Sequence, residues 1–376
     1  MKICHVVPHI DREASGPSYS VPALCDALGR RGHEVVLLTL ARGPVTTPQT
    51  FRHEQFPVSA PPARLGISRG LREALVRECA DADVVHGHSL WMMPNVYPAV
   101  ASRRTGTPLV ISPRGTLGAA PLTYSKWTKR LFWAAAQGAA VRQASLLHAT
   151  SEQERDEIRA FGLTKPVAVI PNGVDIPDHA PRPVRGQGPR RLLYLGRLHP
   201  KKGIELLLAA WRGLSTRHPD WELHLVGPGP ETYVAELRRL AAELDLPRVT
   251  FAGGLYGHMK RQAYAEAELY VLPSLNENFG MSVAEALSHG VPVVTTRGTP
   301  WGGLVDQGCG WWAPADVAGI EATLDEALGV SEDRLATMGA AGRRWVTEAF
   351  SWARIASDME DAYLQLSHRR SERSVA

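Results

Sequence analysis

The sequence predicts two doubly wound α/β domains in tandem. Three observations carry that prediction. Short apolar runs alternate with helical periods along the chain, one proline-, glycine- and arginine-rich stretch at 175–191 interrupts them, and the alternation then restarts. A length of 376 residues is too great for one ordinary core and suits two.

The elements follow in order. KICHVV opens as a strand and leads to a loop holding Gly16 and Pro17. A helix is predicted from about 18 to 31, with Val21, Leu24, Cys25 and Leu28 on one face. GHEVVLLTL, ADVVHGHS, PLVISPRG, ASLLHATS and VAVIPNGV read as further strands, with helices at 125–142 and in ERDEIRAFG, closed by Gly162. The linker 175–191 has no periodicity. RLLYLGRL, WELHLVGPG, VTFAGG, AELYVLPS and PVVTTR are the strands of the second half. Helices are predicted in GIELLLAAWRGL and at 231–244, 316–329 and 331–349, with a last amphipathic one at 352–366. The domains are therefore 1–174 and 192–350, with a polar, disordered tail at 367–376. Ligands of such sheets sit at the carboxyl ends of strands, so a cleft between the two domains is the natural site.

Composition narrows the function. Cys4, Cys25, Cys79 and Cys309 are scattered, which argues against a disulfide scaffold or a structural zinc site and reads them as small buried hydrophobes. No apolar run approaches the ~20 residues of a membrane span, and the start lacks a signal-peptide core, so a cytoplasmic chain is expected. Residues 1–175 hold 20 Lys+Arg against 14 Asp+Glu (+6), and the remainder 22 against 24 (−2). That first-half excess suits an anionic ligand or membrane surface but is too dilute for nucleic acid.

Candidate chemistry starts at YLGRLHPKKG. Gly196 ends a strand, Arg197 follows, and Lys202 precedes Gly203 and a helix. Two cations there suit a diphosphate, Arg bidentately and Lys as a point charge, each bond worth ~1.5–3 kcal/mol. Gly16 takes the same place in the first domain and would let backbone N–H groups approach an anion, although no GxGxxG fingerprint forms and no acidic residue closes the second strand. In NENFGMSVAE, seven residues separate Glu277 from Glu285. A helix starting near Gly280 offers free N–H groups to a diphosphate. Glu285 on that helix suits a ribose diol, and Glu277 on the loop lies nearer the sugar end of the ligand. Acids at a helix start can also be simple helix decoration, which explains one of the pair but not both together with Arg197 and Lys202.

GRLHPKKG, LVGPG, VTFAGG and VLPSLNENFGMSVAEALSHGVPVV, with DVVHGHSLW, ISPRGTL and HATSEQE…VIPNGVD, resemble a retaining glycosyltransferase of family four with the GT-B fold, in order over nearly the whole chain. More narrowly, ISPRGTL…KWTKRLFW and RGTPWGGLVDQGCGWW resemble bacterial members that build exopolysaccharide, capsule or O-antigen (lipopolysaccharide). The resemblance implies that Arg197 and Lys202 grip the donor diphosphate, that Glu285 holds the ribose and that Glu277 faces the donor sugar and its reacting centre. Phe279, Gly280 and Met281 would line phosphate and sugar through their backbone, Gly16 would reach the distal phosphate, and the base would lie near Gly227, Gly254 and Leu255. His88 and Arg114 would face the acceptor, and the last helix, 352–366, would return to brace the first, acceptor-binding domain. Many members carry a histidine near SPRG; Arg114 there shifts the implied role toward charge neutralisation. Asn278 stands where glycine or serine is common.

The implied partners are a UDP- or GDP-linked sugar and a glycan acceptor, polyprenyl-diphosphate-linked. No cofactor and no metal are implied, and no DxD-like pair stands beside the donor site. The implied reaction is a front-face displacement in which the departing diphosphate takes the acceptor proton, rather than one using two hydrolase-like carboxylates. An epimerase of the same fold and a non-catalytic sugar-nucleotide binder are the alternatives. His5, His9, His86 and His148 read as strand packing. GWW at 310–312 reads equally as a sugar platform or as packing. The helix of Trp127 and Trp133, with Lys126, Lys129 and Arg130, is basic and amphipathic, which suits docking on the inner membrane face, against the plainer reading of a solvated helix face.

Overall fold

In the computed structural model, residues 1–10, 16–41, 50–118, 126–178 and 188–375 are described. The chain divides into two units, Met1–Gly173 with Trp352–Ala376, and Val174–Ser351.

The first unit is built on seven strands: β1 (Lys2–Val6), β2 (Glu34–Leu40), β3 (Arg52–Phe56), β4 (Val84–His88), β5 (Leu109–Ser112), β6 (Leu146–Ala149) and β7 (Val167–Val169). Their order is β3-β2-β1-β4-β5-β6-β7 and every pairing is parallel. The inner strands are apolar on both sides because helices cover both faces. The helices are α1 (Gly16–Arg30), α2 (Arg69–Cys79), α3 (Tyr97–Thr105), α4 (Lys126–Phe132), α5 (Gly138–Gln143) and α6 (Glu152–Ala160). A π-helical turn at Trp133–Gln137 joins α4 to α5. Val21, Leu24, Cys25 and Leu28 of α1 are buried, as the period predicts.

The second unit repeats the plan with β8 (Arg190–Leu195), β9 (Trp221–Val226), β10 (Val249–Gly253), β11 (Leu269–Leu272), β12 (Val293–Thr296) and β13 (Gly310–Ala313). The order is β10-β9-β8-β11-β12-β13, again parallel throughout. Its helices are α7 (Ile204–Arg217), α8 (Glu231–Glu243), α9 (Gly257–Ala265), α10 (Met281–Ser288), α11 (Gly303–Asp306), α12 (Val317–Leu328) and α13 (Glu332–Phe350). The chain then returns to the first unit as α14 (Trp352–Val375), whose Ile355, Met359, Tyr363 and Leu366 share a core with α1.

In each sheet the winding reverses once, between β1 and β4 and between β8 and β11. Crossovers diverge at such a point and leave the carboxyl ends of the strands open. In the second unit glycines let the loops close on one another there. A Cβ on Gly227 (φ 153°) would stand 1.7 Å from the Gly196 carbonyl oxygen, and one on Gly203 (φ 65°) 2.2 Å from that of Pro273.

Four details differ from the sequence-based expectation. β3, RHEQF, was not predicted because it has no apolar alternation; its place comes from its register with β2, Val36 opposite Arg52 through Leu40 opposite Phe56. GWW belongs to the edge strand β13, where Trp311 Nε1 donates to Glu326 and Trp312 Nε1 to the Thr299 carbonyl. α14 continues through 367–375, expected as a disordered tail, because nothing after Trp352 breaks a helix: the segment has neither glycine nor proline. β8 starts at Arg190, inside the expected linker, of which residues 179–187 lie outside the described residues.

Candidate active site

The loop 273–280 after β11 is fastened from three sides. The Leu275 N–H donates to the Lys201 carbonyl (2.9 Å), the Glu277 N–H to the Gly298 carbonyl (2.7 Å), and the Thr296 hydroxyl to the Ser274 carbonyl. Only glycine fits at 298, where a Cβ would lie 2.4 Å from the Ser274 oxygen. Farther along, the Trp301 indole donates to the Phe279 carbonyl, and Phe279 is buried against Trp301 and Phe350. Phe279 is therefore an anchor of the loop from within the core. Gly280 (φ 81°) caps α10 in the left-handed region, which favours glycine, and Met281 packs half-buried on the core.

This fastening brings Glu277 to Lys202. The Lys202 ammonium pairs with Glu277 Oε1, to which the Ser274 hydroxyl also donates at 3.0 Å. Burial, the largest single influence, pushes the Glu277 carboxyl up, but the charge and hydrogen bond of Lys202, with Lys201 and the Ser274 hydroxyl, together outweigh it and the net shift is downward, so the group stays ionised. The cation and the acid read separately in the sequence are thus one ion pair, with side chains only 13% and 11% exposed. Lys202 keeps two further N–H donors. Arg197 is exposed just after β8, with its carbonyl held by the Tyr194 hydroxyl at 3.0 Å.

Glu285 stands on α10 with both carboxylate oxygens engaged from α9: Lys260 Nζ at 2.6 Å on Oε1 and the Tyr264 hydroxyl at 2.9 Å on Oε2. Gly254 and Leu255 follow β10; a Cβ on Gly254 would meet the Tyr256 hydroxyl at 2.9 Å, and Leu255 packs on the core. The Gly227 N–H is bonded to the Gly253 carbonyl at 2.7 Å, which joins the loops after β9 and β10.

In the first unit the strand-end histidines form two hydrogen-bonded chains whose tautomers are fixed by their ends. His148 Nε2 faces the Ile170 carbonyl at 2.7 Å and must donate. Its Nδ1 then accepts from the Ser112 hydroxyl, Ser112 accepts from His86 Nε2, and His86 Nδ1 accepts from the Tyr363 hydroxyl, each at 2.6 Å. In the second chain, Arg114 Nη2 donates to His88 Nδ1 at 3.2 Å, so His88 Nε2 carries the proton and donates to His5 Nδ1 at 2.9 Å. His5 Nε2–H ends that chain, buried and without an acceptor among the described residues. Burial holds His5 and His148 down to about 3 and pushes His86 and His88 well below the usual range, so all four are neutral. His5, His86 and His88 bring one nitrogen each within 4.8 Å of one another, near enough for a metal ion. The Arg114 guanidinium at 3.2 Å already supplies a cation to that array.

His88, for which the resemblance implies an acceptor-facing role, is fully buried, with both ring nitrogens bonded inside the first unit. Arg114 (φ 58°) is half-buried, with one arm on Asn172 Oδ1 at 2.5 Å and the other on His88. Burial pushes it down to about 10, which leaves it charged at neutral pH. Gly16 opens α1, and an added Cβ there would meet nothing within 4 Å among the described residues. The sequence did not single out Ser274, Lys260 or Tyr264. Lys260 and Tyr264 share a helix face at i, i+4, but nothing local links them to Glu285.

Two family models match the chain: "Glycosyl transferase 4-like domain" over residues 15–173 and "Glycosyl transferases group 1" over residues 189–329. Glycogen synthase of Mycobacterium tuberculosis is 32% identical over 309 residues, 77% of this chain and 70% of that protein. GDP-mannose:cellobiosyl-diphosphopolyprenol alpha-mannosyltransferase of Xanthomonas campestris is 29% identical over 216 residues, 57% of this chain and 56% of that one. The crystal structure of Anabaena HepE in complex with UDP and glucose superposes with a TM-score of 0.78 at 22% identity, over 97% of this chain and all of the other. The chain therefore belongs to the group 1 glycosyl transferases, of the family four type, and is a glycosyltransferase with the GT-B fold.

Proposed function

We propose that this glycosyltransferase moves a sugar, with its anomeric configuration retained, from a UDP- or GDP-linked donor to a hydroxyl of a growing, polyprenyl-diphosphate-linked bacterial glycan. The Lys202–Glu277 pair at the carboxyl edge of the second sheet carries the proposal. In it, Arg197, the two remaining Lys202 donors and the amino end of α10 take the donor diphosphate. Glu285 takes the ribose diol, and Glu277, held ionised by Lys202, faces the donor sugar. Gly254 and Leu255 lie toward the base. The relatives support the choice of ligands, since one is named for GDP-mannose and a diphosphopolyprenol acceptor and HepE was solved with UDP and glucose.

In the reaction, the bond from the anomeric carbon to the diphosphate oxygen breaks while a bond to the acceptor oxygen forms on the same face. The acceptor proton passes to the departing diphosphate. Arg197 and Lys202 neutralise the charge that grows there, already oriented before the step. Arg114 is the proposed acceptor-side cation, and His88 and Asn172 position it. We assign α4 to the membrane surface that carries the acceptor: Trp127 and Leu131 are 78% and 73% exposed, with Arg130 5.3 Å over the Trp127 ring and Lys129 beside Trp91. Trp133 plays no part in that face, because it packs on Trp91 and Phe161.

The test is transfer from a panel of UDP- and GDP-sugars to polyprenyl-diphosphate-linked oligosaccharides in the presence of EDTA, with product linkage read by NMR. A product of unchanged anomeric configuration is expected. An inverted product, or no transfer from any donor, contradicts the proposal.

A further inference from the structure

We infer that Lys260 and Tyr264 form a clamp that presents Glu285 to the donor's ribose, and that the preference for a ribonucleotide over its 2′-deoxy form depends on this clamp. The inference rests on the ribose role proposed above for Glu285.

A carboxylate has two oxygens and about four acceptor positions. Here one position on each oxygen is used from the same side, by Lys260 Nζ at 2.6 Å and the Tyr264 hydroxyl at 2.9 Å. The donors stand one turn apart on α9, so a single helix face delivers both. Tyr264 is immobile: it is 1% exposed and stacked on the His289 ring at 5.0 Å, while His289 Nδ1 bonds the Glu285 carbonyl at 2.8 Å. The Tyr264 phenol is pushed well above its ordinary value by burial and by Glu285, so it remains a donor. Two bonds on one side fix the plane of the carboxylate. The Glu285 side chain is still 22% exposed, and a carboxylate with one bond made on each oxygen keeps about one acceptor position on each. Two adjacent hydroxyls match that arrangement, and one hydroxyl does not.

Lys260 has a second consequence. A bare carboxylate close to a diphosphate repels it, whereas a paired one presents little net charge. The ammonium therefore lets an acid sit beside an anionic ligand and still read its sugar. Lys260 and Tyr264 are positioning residues in this scheme, since they act through Glu285.

The experiment is calorimetric titration of the full chain with UDP, GDP and the 2′-deoxy form of each, for the wild type, Lys260→Met, Lys260→Arg, Tyr264→Phe and Glu285→Ala, with donor KM and kcat measured on the same proteins. Loss of one charge-assisted bond should weaken ribonucleotide binding by Lys260→Met roughly ten-fold. The ribo-to-deoxy ratio should fall toward one, KM should rise with kcat changed less than about two-fold, and Lys260→Arg should recover most of the loss. Tyr264→Phe should lower the ratio in the same direction. If Lys260→Met keeps the wild-type ratio, or only lowers the melting temperature, the clamp is wrong, while a ratio lost in Glu285→Ala would leave the ribose role standing. A wild type that binds neither UDP nor GDP, or does not distinguish them from their deoxy forms, overturns the ribose role and the clamp together.

Discussion

At the residue scale, chemistry that looks separate in the sequence is paired in the fold. Lys202 and Glu277 are 75 positions apart and form one ion pair. Arg114 and His88 hold each other through a bond that a reader of HGHS and SPRG has no means to see. Residue type and strand-end position were legible. Whether a side chain turns toward a ligand or toward a neighbour depends on packing between distant segments, and so was not. The histidine array gives a prediction. In the folded chain His5 and His148 are held to about 3, and His86 and His88 well below the usual range, first by burial and then by the neighbouring histidines and Arg114. The unfolded chain takes up protons near 6.5. Their contribution to stability is thus complete above that value and is lost as pH falls from about 6.5 toward 3, each histidine adding a slope of about 1.4 kcal/mol per pH unit. Urea unfolding at a series of pH values should show this fall, and His148→Gln should flatten it by about one proton. A wild-type profile flat between pH 7 and 5 contradicts the neutral assignment.

At the element scale, the alternation of strands and helices was legible because parallel strands covered on both faces are almost purely apolar. β3 is hidden in the sequence because four of its five residues are polar, and β13 because GWW reads equally as a sugar platform or as packing. The far end of α14 is hidden because its polar residues read as a frayed end, although arginine and glutamate are good helix formers. What the sequence understated is how tightly the loops of the second sheet close. Gly227→Ala would place a Cβ 1.7 Å from the Gly196 oxygen at φ 153°, so it should destabilise the second unit by about 2–4 kcal/mol and weaken donor binding. Gly32→Ala, at φ 88° with nothing within 4 Å, should cost only about 1 kcal/mol. Equal costs measured by denaturant unfolding would show that backbone crowding does not shape this loop cluster.

At the scale of the whole molecule, the sequence carried the architecture, and motifs along nearly the whole chain carried the family. No helix of the described residues is long and apolar enough to cross a membrane, and the membrane contact proposed for α4 gives its own prediction. The wild type should pellet with anionic vesicles at low salt and be released at about 0.5 M salt, since charge attraction is screened there. Trp127→Ala with Leu131→Ala should weaken pelleting at least roughly three-fold, the loss of two buried apolar contacts. Equal pelleting of wild type and variant would remove α4 from this role. The central claim, that the second unit holds a sugar nucleotide through Glu285, is tested most directly by saturation-transfer NMR of the metal-free protein with a panel of UDP- and GDP-sugars, repeated with Glu285→Ala. The wild type is expected to bind at least one of these nucleotide sugars and slowly release free sugar, and the variant to lose the ribose signals. Binding of no nucleotide sugar, or ribose contacts unchanged in Glu285→Ala, would contradict it.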